Sequence, residues 1–139
     1  MQNSLGILGV LMACAWLCGA QVTIIDSGST NRPGMTIKLQ ETGPDATLER
    51  RDGSKQKLTL AKDLCDRLMG DLKAAGPLNE FPAKHCMKSI SFGSTLHIEY
   101  NGVRSPDLSC PQTDSRLVAL KKDANDILSA AKTSNAPAY

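Results

Sequence analysis

The hydrophobic period of this chain changes from two to about 3.6 at two places, and that alternation limits the folds open to it. Met35, Ile37 and Leu39 alternate with Thr36, Lys38 and Gln40, as a strand with one face on a core requires. Ala46 and Leu48 repeat the pattern up to Asp52-Gly53, a hairpin-forming dipeptide, and Lys55 to Leu58 returns as a short edge strand. At Leu60 the period lengthens: Ala61, Leu64, Cys65, Leu68, Leu72 and Ala75 lie on one helical stripe, with Thr59 as its cap and Gly76-Pro77 as its stop. The cycle then repeats. Ser89 to Phe92 and Thr95 to Tyr100 read as strands, Asn101-Gly102 as a hairpin turn and Val103-Arg104 as a last short strand. Leu117, Leu120, Ala124, Ile127, Leu128 and Ala131 mark a second helix, with Thr113 or Asp114 at its start.

Upstream, Val22 to Ile25 forms a β-branched run, and the turn formers Ser27 to Gly34 predict a loop after it. The expected architecture is α+β, in the order ββ(β)αβββα, with two amphipathic helices on one face of a mostly antiparallel sheet. Only 4% of the residues are aromatic, so the core is aliphatic.

No charged residue precedes Asp26, and Leu5 to Leu17 is an apolar run too short to span a bilayer comfortably. Small residues at Cys18 and Ala20 fit a signal-peptidase site, which predicts a leader over 1–20 and a secreted or periplasmic chain from Gln21. Residues 21–132 then form one domain and 133–139 a mobile tail. The amino-terminal MQNS carries no Lys or Arg, which leaves an uncleaved anchor as an alternative. Leu11-Met12-Ala13-Cys14 resembles a bacterial lipobox, which would make the protein a lipoprotein acylated at Cys14.

Cleavage leaves Cys65, Cys86 and Cys110. Cys86 and Cys110 lie in loop-like sequence and are expected to pair, which the chain-entropy argument values at about 3 kcal/mol. Cys65 falls on the helical stripe as a small buried hydrophobe.

Few motifs carry chemistry. His85, Cys86, His97 and Cys65 lack the spacing of a metal site, so neither metal nor cofactor is expected. A net charge of +2 argues against nucleic acid as a partner. Arg50, Arg51, Lys55 and Lys57 surround the Asp52-Gly53 hairpin and offer a surface for an anionic protein, glycan or headgroup, although lysines also guard edge strands. Ile24-Ile25-Asp26-Ser27-Gly28-Ser29-Thr30 resembles the active-site loop of aspartic proteases. That resemblance implies a homodimeric hydrolase in which Asp26 shares a proton with its symmetry mate. The short run between Gln21 and Asp26 cannot build the sheet that underlies such a loop, and strand-then-turn chemistry accounts for the same letters.

His85-Cys86-Met87-Lys88-Ser89-Ile90-Ser91-Phe92-Gly93, Ser105-Pro106-Asp107-Leu108-Ser109-Cys110-Pro111 and the helix end Ala74 to Leu78 together resemble a group of small exported bacterial proteins of uncharacterised function. The resemblance implies an envelope or secreted setting and a Cys86–Cys110 bridge, and it carries no catalytic residue to transfer. The resulting expectation is a noncatalytic exported module that binds a protein or glycan of the envelope.

Overall fold

A computed structural model describes residues 19–134. Cys14, all of the expected leader except Gly19 and Ala20, and all of the expected tail except Thr133 and Ser134 lie outside the described residues. The chain runs β1 (Gln21–Ser29), β2 (Arg32–Gln40), β3 (Asp45–Arg50), β4 (Lys55–Thr59), α1 (Lys62–Ala75), one 3-10 turn (Leu78–Glu80), β5 (Leu96–Tyr100), β6 (Val103–Arg104) and α2 (Ser115–Thr133). This is an α+β fold with one six-stranded antiparallel sheet, ordered β4-β3-β2-β1-β5-β6. After β4 reaches one edge, α1 carries the chain back across the sheet so that β5 can pair with β1.

Register places one apolar row after another on the same side. Ile98, Ile24, Ile37 and Leu48 stand opposite one another across β5, β1, β2 and β3, all fully buried. Leu68 and Leu72 of α1 and Leu120, Ala124 and Ile127 of α2 close over that face to form a single core. Each such Leu or Ile side chain contributes roughly 1.5–3 kcal/mol. The opposite face carries Thr23, Thr36, Lys38, Thr47, Glu49, His97 and Glu99, half exposed. No helix among the described residues is long and apolar enough to cross a membrane.

Several expectations change. Ser27 to Gly34 is not a loop: β1 and β2 run through it and reverse at Thr30-Asn31. The strands pass so closely that a Cβ on Gly28 would meet the Gly34 nitrogen at 2.2 Å, and one on Gly34 would meet the Ser27 carbonyl oxygen at 2.5 Å. The glycines there permit backbone contact, and Gly28 in addition takes a positive φ of 65°. Thr59 stays in β4 and does not cap α1, which starts after Ala61 with no side-chain cap. Asp114 does cap α2, accepting a hydrogen bond from the Arg116 backbone N–H at 2.9 Å. The α2 helix also reaches Thr133, past the expected end of the domain. Four strands precede α1, and only two follow it because Ile90–Phe92 is a turn and not a strand.

Gly34→Ala therefore costs about 2 kcal/mol or more in urea unfolding, since backbone must move to admit the methyl group. Gly43→Ala, at a position with open space, changes stability by less than about 1 kcal/mol and tends to raise it.

Candidate functional site

Between the 3-10 turn and β5 the chain leaves the core and crosses the surface for more than a dozen residues. From Pro82 to Ser89 it runs without bend or turn. Its side chains alternate, with Lys84, Cys86 and Lys88 partly covered and His85, Met87 and Ser89 exposed. A turn follows, in which the Gly93 N–H donates to the Ser89 carbonyl at 2.7 Å. Met87, Ile90 and Phe92 are 102%, 94% and 71% exposed, the three most exposed large apolar side chains among the described residues.

Two anchors hold this segment on either side of Met87. Cys86 is bonded to Cys110 with a Cα separation of 5.7 Å. The Lys88 ammonium donates to the Ser94 carbonyl at 2.6 Å, to Asp107 Oδ2 and to Ser109 Oγ, so each of its N–H bonds has an acceptor. Asp107 is the centre of the second anchor. Its Oδ1 accepts the Leu96 N–H at 3.0 Å, the Ser109 N–H at 3.0 Å and the Ser109 hydroxyl at 2.7 Å. Burial pushes the Asp107 carboxyl up, but Lys88 and these donors outweigh it and hold the group at about 2.

Other sequence candidates are dispersed. Arg50 lies on the helix side of β3, where its Nη2 donates to Gln56 Oε1 at 3.2 Å, whereas Lys55 and Lys57 project from the opposite face of β4 and Arg51 lies in the turn. The four cations therefore do not form one patch. Asp26 is 6% exposed, and its carboxylate accepts two hydrogen bonds from Arg32, at 2.5 and 3.0 Å, and a third from the Gly28 N–H at 2.9 Å. Through Arg32 this carboxylate ties β1 to β2 across their hairpin. Cys65 is 7% exposed, and burial pushes its thiol pKa up. His97 faces away from the core, with Nδ1 at 3.0 Å from the Ser105 carbonyl oxygen. Among the described residues no group of three or more His, Cys, Asp or Glu side chains is placed to hold a metal ion.

A second buried carboxyl lies between the helices. Asp123 Oδ1 accepts from Arg67 Nε at 2.6 Å, and Arg67 Nη2 donates to Asp126 at 2.5 Å. Asp123 Oδ2 is buried with no donor and faces the Asp71 carboxyl. Burial first, and Asp71 second, raise Asp123 to about 6 against the pull of Arg67.

The latter part of the presented loop was misread in the sequence because Ser89-Ile90-Ser91-Phe92 alternates like a strand. The available signal was the expected bridge at Cys86, since a covalently anchored residue beside apolar ones with no sheet partner marks a displayed segment. No protein-family model matches the chain, and no curated protein or solved structure shows significant similarity to it.

Asp107 and Asp123 act in opposite pH ranges. Asp107, lower in the folded state than unfolded, contributes stability present above about pH 4 and lost as pH falls toward about 2. Asp123, higher when folded, contributes stability present below about pH 4 and lost as pH rises through about 6. Urea midpoints measured across pH should show Asp107→Asn flattening the acid limb, worth roughly 2 kcal/mol, and Asp123→Asn flattening the limb between about pH 4 and 7.

Proposed function

We propose that the protein is an exported, noncatalytic binding module that engages another protein through the braced loop 84–92. The observation that carries this reading is the contrast within the loop: Cys86 and Lys88 are fixed to the body, while Met87, Ile90 and Phe92 stand in solvent. Exposed apolar clusters on a folded surface mark interaction sites. Anchoring the loop beforehand lowers the ordering cost that a flexible loop pays on binding. The disulfide fits an oxidising, extracytoplasmic setting. Dispersal of Arg50, Arg51, Lys55 and Lys57 moves the binding surface from the basic hairpin to this loop.

A photoreactive side chain introduced at Met87, and separately at Lys57, in cells that produce the protein distinguishes the two surfaces. Position 87 should yield protein adducts and position 57 should not. Adducts at position 57 alone, or lipid adducts at position 87, would overturn the assignment.

A further inference from the structure

The loop reading can be given a partner chemistry, and the inference below rests on that reading. We propose that the loop 84–92 is a substrate mimic whose extended part, residues 84–88, enters the cleft of a serine endopeptidase as a strand, places Met87 in an apolar primary pocket and inhibits the enzyme.

Three observations support this. The first is the backbone. From Pro82 to Lys88 the main-chain N–H and C=O groups make no hydrogen bond within the described chain. An unbent segment with free main-chain groups and alternately projecting side chains has the form in which extended peptides are recognised, by main-chain pairing with pockets for every second residue. Those free groups also favour a protein cleft over a lipid surface, because hydrocarbon would leave them unpaired beside Met87.

The second is the projecting side chain. Met87 is wholly exposed and unbranched, and it sits between the two anchored residues, where a flexible thioether suits an apolar pocket. The third is the tethering of both flanks. When a catalytic serine adds to the Met87 carbonyl, the Met87–Lys88 bond breaks, an ester to Met87 forms, and the Lys88 amine leaves with a proton from the enzyme's general acid. In a free peptide that amine diffuses away and water completes hydrolysis. Here the acyl side is held by the Cys86–Cys110 bridge and the amine side by the Lys88 ammonium on Ser94, Asp107 and Ser109. The amine stays beside the ester at high effective concentration, returns its proton to the enzyme, attacks the ester carbonyl, restores the peptide bond and releases the serine. The enzyme is occupied and no net reaction occurs.

The test uses the exported chain with its disulfide intact, titrated into subtilisin and into chymotrypsin while hydrolysis of a small chromogenic peptide is followed. One-to-one inhibition of at least one enzyme is expected, with the chain recovered uncut or cut only at Met87–Lys88. Met87→Gly should weaken inhibition at least about 30-fold with only the small downward shift of the urea midpoint that an added glycine brings, since it removes an exposed anchor side chain. Lys88→Met, checked for an intact bridge and fold, should convert the inhibitor into a substrate cleaved after Met87. The proposal is overturned if neither enzyme is inhibited at about 10 μM, a concentration well above the affinity such complexes have, or if the wild-type chain is digested like an ordinary peptide. Protein adducts at position 87 in the crosslinking experiment, together with no inhibition, would leave the binding-module reading standing and remove only the peptidase assignment. Binding to anionic vesicles that Met87→Gly abolishes, without inhibition, would remove both.

Discussion

Asp107 is the residue on which the surface of this protein depends. Its two oxygens receive the start of β5 through Leu96, the segment before α2 through Ser109, and the outer loop through Lys88. A carboxylate with that many donors is strongly favoured over its protonated form, and so the group stays charged well into acid. The Lys88–Asp107 pair is also mostly shielded from water, at 23% and 11% side-chain exposure, so it is screened less than a pair in open solvent. Without this cluster the Cys86–Cys110 bridge would fix one point of the loop and leave the chain after Met87 free to swing. Two fixed points two residues apart define a direction, which one cannot do.

That arrangement needs the sheet behind it. β5 carries Leu96 and Ile98 into the core on the side where the helices pack, and the same strand begins just after Ser94, whose carbonyl receives Lys88. α2 is capped by Asp114 only a few residues beyond Cys110. The loop is therefore braced against the start of β5, which pairs with β1, and against the segment that leads into α2. Presentation of Met87 follows from core packing relayed through one carboxylate and one disulfide.

The fold was largely legible in the letters because the strongest signals coincide with the physics that builds it. Period-two alternation in Met35 to Gln40 and Ala46 to Glu49, the Asp52-Gly53 and Asn101-Gly102 turns, and the two helical stripes all sit where the structure places them. The misreadings occur where local composition and tertiary context disagree. Turn-forming Ser27 to Gly34 became paired strand, because Gly28 and Gly34 allow two backbones to approach and Arg32 pairs with Asp26. Strand-like Ser89 to Phe92 became a turn, because Cys86 and Lys88 are fixed to the body and β5 leaves β1 beyond Thr95. The bridge was legible from loop context and from resemblance. The displayed apolar trio was not, since exposure of Ile90 and Phe92 depends on contacts far away in sequence. The basic hairpin was visible as a charge cluster, but strand parity sends Arg50 and Lys55 to opposite faces, a distinction that depends on the exact length of the turn.

The central claim is that residues 84–92 are held in one conformation by the two anchors flanking Met87. Backbone 15N relaxation on the oxidised protein tests it most directly. The account predicts order parameters for Cys86, Met87 and Lys88 close to those of β5, about 0.85, whereas values below about 0.6 in that stretch would contradict it.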